Sequence, residues 1–492
     1  MENRSEPQGS LAGERARYQR IGLWAGPIFA ALIYLLPVPD GLDIDAWIVV
    51  ALGAWMAVWW ATEAIPVPVT ALLPLIVLPL SGVTTAAAAS RPFAEPVIYL
   101  LLGGFVMAMA LKRWGLERRI ALHIVARSGD HPAALLLGFM VASALISMWV
   151  SNTATTLMML PIALSVATTV LGEDTHHHPF AIALYLGIAY AASIGGLGTI
   201  IGTPPNAFVV GFIREATGRE IAFIEWMAIG VPVVLAMVPA AWAVLVRWSF
   251  RFDPDDVRGG HRVVAAALAA LGPMRVPERR VAAVFLVAAL AWATSILLRQ
   301  IPGLVHLSDM IIAIAGAVAM FLIPAGDAAD PQRRLLDWEA TRDLPWGVVL
   351  LFGGGLSLAA AIQSTGLADW LGTALAPFAA LPLLLQMGLL VLFVIFLTEL
   401  TSNTATVAAL VPILGSLSEA GHFAPALLAV PVALAGSCAF MLPVATGPNA
   451  IVYATGEVRV PDMVKAGFRL NLLGTLIITV LGYMLVPLLF GN

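Results

Sequence analysis

Charged side chains are scarce in this chain. Only 11% of its 492 residues are Asp, Glu, Lys or Arg and 60% are hydrophobic, where an ordinary soluble domain carries roughly 25% charge. That deficit excludes a soluble globular protein. The net charge is −4, and the basic residues sit in short loops instead of on one continuous face. A nucleic-acid partner is therefore excluded for want of an electrostatic footprint. The single cysteine, Cys438, lies in an apolar segment, so no intrachain disulfide can form, and it reads as a small core side chain. No Gly-Lys-Ser/Thr occurs, and the glycines of 196–202 do not follow Gly-x-Gly-x-x-Gly, so the phosphate-cradling loop of an ATP-driven motor is missing. The spans hold neither clustered metal ligands nor a nucleophile–base set, so no enzyme and no transition-metal site is expected. His176, His177 and His178 resemble a metal tract only in composition and read as a solvated loop.

What the chain does have is apolar length. Runs of about the 20 residues a helix needs to cross the hydrocarbon core recur along it, and they predict an all-α polytopic membrane protein with eleven spans. These fall at about 21–38, 45–62, 66–81, 96–112, 179–213, 222–249, 280–299, 306–324, 345–364, 424–454 and 468–490. Two further apolar stretches, 133–171 and 384–418, are interrupted at the middle by Ser-Asn-Thr, which would be costly in a lipid-facing helix. They are expected to be re-entrant helical hairpins. The chain divides into a polar tail (1–20), a first half (21–249), a loop (250–279) and a second half (280–492). The tail carries Arg4, Arg15, Arg17 and Arg20, and acidic residues follow its apolar run where a signal peptide would have a cleavage site.

Basic residues concentrate after the fourth span (Lys112, Arg113, Arg118, Arg119, Arg127), the sixth (Arg251, Arg258, Arg262, Arg275, Arg279, Arg280) and the eighth (Arg333, Arg334, Arg342). All three loops fall on the side of the tail. By the positive-inside rule the N-terminus is expected in the cytoplasm, with the chain in a bacterial inner (plasma) membrane.

An internal repeat orders these pieces. Gly103-Gly104 and Gly115-Leu116 match Gly354-Gly355 and Gly366-Leu367, and Ser151-Asn152-Thr153-Ala154-Thr155 matches Ser402-Asn403-Thr404-Ala405-Thr406. Pro161-Ile162 and Ser165 match Pro412-Ile413 and Ser416, and every pair is numbered 251 apart. Five spans separate the two hairpins. An odd number sends them in from opposite faces, as in the inverted repeats of secondary transporters.

After each hairpin the next span is broken by a second polar element. The first contains Gly195-Gly196-Leu197-Gly198-Thr199 and Thr203-Pro204-Pro205-Asn206-Ala207; the second is Ala445-Thr446-Gly447-Pro448-Asn449-Ala450. Such breaks free backbone groups and are tolerated at membrane depth only in protein or beside a cavity, which makes them pointers to a binding site. Each hairpin tip also presents the amide end of the following helix, suited to a carboxylate. Freed carbonyls and Ser, Thr and Asn oxygens suit a hard cation such as sodium. No Lys, Arg or His lies in a tip or a break, so bound cations are expected to balance a dianion. Glu63 and Glu399 are acids in apolar context, where a functional role competes with capping and packing.

At these residues the chain resembles the divalent anion sodium symporter family, from Trp59-Trp60-Ala61-Thr62-Glu63-Ala64-Ile65-Pro66 through to Asn449-Ala450. The resemblance implies sodium-coupled symport of small dicarboxylates such as succinate, fumarate and malate. It also implies a homodimer and an elevator-type motion of a transport domain. It places one sodium near Ser147, Ser151, Asn152, Gly196 and Gly198, and a second near Thr398, Thr401, Asn403 and Ala445. It places the substrate carboxylates against Asn152, Thr153, Asn403 and Thr404, with Thr446 and Gly447 nearby. Gly447 departs from the family's Thr-Pro-Pro-Asn, and its backbone freedom is expected to loosen the site. The family also holds sodium-independent dicarboxylate exchangers and sodium-coupled sulfate or citrate carriers; the two intact Ser-Asn-Thr motifs favour symport over exchange.

Overall fold

Proline and glycine set where the helices of this chain begin and end. The computed structural model describes residues 8–129, 131–172, 177–252, 259–326 and 330–490; Arg4, His176 and Arg258 lie outside them. Pro96, Pro132, Pro179 and Pro204 each open a helix at its first position, where the missing N–H is no loss and φ is already helical. The His131 and His178 rings cap two of these starts by accepting the amides of Ala133 and Phe180.

Among the described residues, seven helices are long and apolar enough to cross a membrane: Ile44–Thr62, Ala86–Arg113, Asn152–Leu171, Pro179–Gly198, Phe223–Ser249, Trp346–Ser364 and Val460–Phe490. Six shorter apolar helices accompany them. Helices satisfy their own backbone groups, the condition for a chain that spans lipid. The molecule is a polytopic all-helical membrane protein.

The segment 133–171 is two helices, Pro132–Ser147 and Asn152–Leu171, joined by four residues, and 384–418 is likewise two, Leu383–Thr398 and Asn403–Ala420. Both helix starts and the end of the first helix keep the spacing of 251. The starts of the helices Leu116–Val125 and Leu367–Ala374 keep it too, each entered through a left-handed glycine, Gly115 at φ 69° and Gly366 at φ 73°. A side chain there would be strained, which is why both repeats retain glycine.

The structure differs from the sequence reading in three places. The first helix, Gln8–Leu35, begins inside the expected tail. The stretch 66–81 is two pieces, Val67–Thr70 and Leu73–Leu80, because Pro66, Pro68 and Pro74 interrupt the backbone ladder. The expected loop 250–279 contains the helix Gly260–Ala270, whose Val263, Val264, Ala267 and Leu268 form a stripe against the core. The stretch 424–454 divides, as its polar break leads one to expect, into Ala426–Gly436 and Gly447–Tyr453, with ten irregular residues between.

Two polar ties brace the periphery. Arg119 pairs with the buried Glu278 at 2.7 Å and also donates to the carbonyl of Gly272, fixing the helix Leu116–Val125 to the start of Val276–Ala293. Arg113 pairs with Asp337 at 2.5 Å.

Candidate functional site

Both hairpin tips and both helix breaks reach one cavity of about 1580 Å³. From the first repeat it is lined by Ser151, Asn152 and Thr153 and by Gly202, Thr203 and Pro204; from the second, by Thr401 to Thr404 and by Ala445 to Pro448. All six residues expected to meet substrate, Asn152, Thr153, Asn403, Thr404, Thr446 and Gly447, stand on its wall. Of those expected to meet sodium, Ser151, Thr401 and Ala445 also line it. Ser147, Gly196, Gly198 and Thr398 lie buried behind the wall.

The first tip is tightly organised. Ser147 donates its hydroxyl to Asn152 Oδ1 at 2.7 Å, and a side chain on Gly196 would come within 2.7 Å of that same oxygen. Ser147, Asn152 and Gly196 are therefore brought together. Gly198 packs against the Met148 side chain instead. Asn206, fully buried, holds the first break by donating Nδ2 to the carbonyls of Gly196 at 3.0 Å and Thr199 at 2.8 Å, while Trp226 donates Nε1 to Leu197.

The second tip repeats the plan with different partners. Thr398 donates to the Ile395 carbonyl of its own helix. Thr401 and Thr406 join hydroxyls at 2.7 Å. Asn403 Oδ1 is buried with no hydrogen-bond partner among the described residues, and an unpaired buried carbonyl is what an oxygen-seeking cation would satisfy. Asn449 matches Asn206: its Nδ2 donates to Ala439 and Leu442, both at 3.1 Å. The two breaks meet where the hydroxyls of Thr203 and Ser437 lie 3.2 Å apart.

Amide donors converge on the same space. The helix Asn152–Leu171 starts at the cavity with Ser151 capping only Ala154 N, and Asn403–Ala420 starts there with Ser402 making no side-chain cap. Helix starts of this kind offer free N–H groups and about half a positive charge each.

Three features qualify the sequence reading. Lys112 and Arg113, at the end of the helix Pro96–Arg113, line the cavity although neither belongs to a tip or a break. The premise that no cation is available is corrected to that extent. The cavity wall also carries Glu63, Asp337 and Asp343, so its fixed charge is not positive and a dianion still needs bound cations. The Arg113 guanidinium holds the Asp337 carboxyl below the usual carboxylate range.

Glu399, an acid of undecided role in sequence, organises the second break. Its oxygens accept the amides of Phe440 at 2.7 Å, Met441 at 2.9 Å and Leu442 at 3.0 Å, and Asn471 Nδ2 at 2.8 Å. Glu63 ends the helix Ile44–Thr62 in a left-handed conformation at φ 45°, rare for a residue with a side chain.

Gly447, finally, does not use the positive φ open to glycine; it opens the helix Gly447–Tyr453 in ordinary geometry. Its role is close approach, since a Cβ there would overlap the hydroxyl oxygen of Thr153. Asn206 and Asn449 are absent from the sequence-derived site. Their shared Pro-Asn context was the available signal.

Comparison with known proteins gives a consistent picture. The family described as "Sodium:sulfate symporter transmembrane region" matches residues 19–491. The chain is 43% identical over 480 residues to the sodium-dependent dicarboxylate transporter SdcS of Staphylococcus saprophyticus, covering 96% of this chain and 92% of that one. It is 41% identical, with the same coverage, to SdcS of Staphylococcus aureus. Among solved structures it shares its fold with the YdaH transporter of Alcanivorax borkumensis (TM-score 0.53, 14% identity, 96% of this chain and 98% of that one). It shares it also with MtrF of Neisseria gonorrhoeae (TM-score 0.56, 13% identity, 96% and 95%).

Proposed function

The chain belongs to the sodium:sulfate symporter family, and from that premise we propose that it is a secondary transporter carrying C4-type dicarboxylates such as succinate, fumarate and malate together with sodium. The observation that carries this reading is the convergence of two Ser-Asn-Thr tips and two Pro-Asn breaks on one cavity, with free helix amides for carboxylates and a buried orphan carbonyl at Asn403 for a cation. The relatives named as sodium-dependent dicarboxylate transporters support the choice of ion and substrate.

In this reading sodium is cargo. One ion is held by Ser147, Ser151, Asn152 and the turn at Gly196 and Gly198, the other by Thr401, Asn403 and Ala445 with Thr398 behind them. Sodium binds first and orders the tips; the dianion then bridges Asn152, Thr153, Asn403 and Thr404 beside Thr446 and Gly447. The halves are opposed inverted repeats, the N-terminus is cytoplasmic, the protein is a homodimer of the plasma membrane, and its transport domain moves as an elevator. The test is uptake of labelled succinate into proteoliposomes with an empty lumen, under an inward sodium gradient, with sulfate as competitor. Uptake that requires dicarboxylate inside the vesicle would make the protein an exchanger, and displacement by sulfate would make it a sulfate carrier.

A further inference from the structure

The first hairpin tip carries an aromatic ring that its counterpart in the second repeat lacks. Trp149 belongs to the turn joining the helices Pro132–Ser147 and Asn152–Leu171, and the residue numbered 251 higher is Leu400. Leu400 stands 73% exposed on the cavity wall. Trp149 is half-buried and docked. Its ring stacks on Phe223, with centroids 5.9 Å apart, and on Trp292, at 6.3 Å, and meets Phe285 edge to face at 5.1 Å. Phe223 and Trp292 stack on each other at 4.6 Å with their planes 9° apart. All four separations lie in the range where aromatic rings attract one another.

The seat under Trp149 is assembled from other helices and fixed by polar bonds. Phe223 opens the helix Phe223–Ala243, Phe285 and Trp292 lie on Val276–Ala293, and Asp309 opens Asp309–Leu322. Asp309 Oδ2 accepts the Phe223 amide at 2.6 Å, and the Asp309 carbonyl accepts Trp292 Nε1 at 3.0 Å. Both stacked rings are thus tied to one buried residue. We propose that Trp149, Phe223 and Trp292 are positioning residues for the first sodium site: docking Trp149 on this seat holds the turn that presents Ser147, Ser151 and Asn152. None of the three belongs to the ligand set itself. This rests on the sodium reading above and deepens it, since Trp292 and Asp309 come from the second half of the chain and shape a site in the first. Fixing the backbone of a turn is entropically costly, and a turn fixed beforehand binds its ligand more tightly. The second tip, whose Leu400 is exposed, is ordered by its ion instead.

The experiment measures radioactive sodium binding to the purified, detergent-solubilised protein without dicarboxylate, and succinate binding at saturating sodium. It compares the native protein with Trp149→Leu, Trp292→Leu, Trp292→Phe and the double variant Trp149→Leu/Trp292→Leu. An aromatic pair is worth about fivefold in an equilibrium constant. Trp149→Leu and Trp292→Leu are each expected to weaken one of the two sodium affinities by about that factor and to leave the other native. Trp292→Phe, which keeps a ring in the stack, restores most of the loss. The double variant binds sodium no more weakly than the weaker single variant, because both remove the same contact. Succinate binding at saturating sodium stays native, which a general loss of packing would not allow. Native sodium affinity in Trp149→Leu or in Trp292→Leu, no restoration by Trp292→Phe, or an equal loss of succinate binding overturns the inference. Should the leucine variants not fold, Phe285→Leu removes only the edge contact; it is expected to weaken the same sodium affinity about twofold, and unchanged affinity overturns the inference. A native protein that binds no sodium overturns the functional reading itself, and the inference with it.

Discussion

Ser147 donates its hydroxyl to Asn152 Oδ1 at 2.7 Å, whereas the residues numbered 251 higher, Thr398 and Asn403, make no such bond. Thr398 is turned to its own helix and Asn403 Oδ1 is left buried and unpaired. One tip is thus organised before any ligand arrives, and the other carries an unmet need. Asn152→Ala and Asn403→Ala are each expected to raise the sodium concentration for half-maximal uptake by about tenfold, the worth of one ligand oxygen. The gain in melting temperature that sodium gives the native protein follows from linkage, and it is expected to shrink in Asn403→Ala. Sodium dependence unchanged in both variants would remove these residues from the cation sites.

Glu399 supports the second break from behind. Every group that reaches its carboxylate is a donor: the amides of Phe440, Met441 and Leu442 and the side-chain amide of Asn471. Glu399→Gln turns an N–H₂ group toward those donors. A buried donor left unsatisfied costs about 1–3 kcal/mol, so a loss of roughly 2–4 kcal/mol is expected in thermal or denaturant unfolding of the detergent-solubilised protein. Asn471→Ala, which removes one bond of the set, is expected to cost less. Equal stability of Glu399→Gln and native protein would show that the break holds itself.

The pH dependence of stability is expected to contain a contribution from Glu117. Burial raises its carboxyl from 4.5 to about 7, in a helix at the edge of the bundle. A carboxyl whose folded pKa lies above its unfolded value stabilises the fold while protonated. That contribution is complete below about 4.5 and is lost as pH rises through about 7, up to roughly 3 kcal/mol. Glu117→Gln stays neutral, so it is expected to match the native protein at low pH and to exceed it in melting temperature at pH 8. The same pH profile in both proteins would contradict this assignment.

The legible parts of this molecule were those written twice. Duplicated Ser-Asn-Thr marks the turns between Ser147 and Asn152 and between Thr398 and Asn403, and Gly115 and Gly366 mark the same left-handed entry in each repeat. Features written once were harder to read. The helix Gly260–Ala270 was hidden because its apolar stripe is short and sits among Arg residues, which read as a loop by hydropathy. Lys112 and Arg113 reach the cavity through the packing of a helix end, which no local pattern encodes. Glu399 had the chemistry of either a ligand or a brace, and only the position of Phe440 to Leu442 decides for the brace. Gly447 suggested backbone freedom; the nearness of Thr153, from the other repeat, shows that space is what it supplies.

Coupling itself is tested most directly by following the ion. Radioactive sodium influx into proteoliposomes is measured with and without external succinate, alongside the Asn152→Ala/Asn403→Ala double variant. The account predicts that succinate stimulates sodium influx in the native protein and not in the double variant. Sodium influx indifferent to succinate, with succinate still entering, would contradict it.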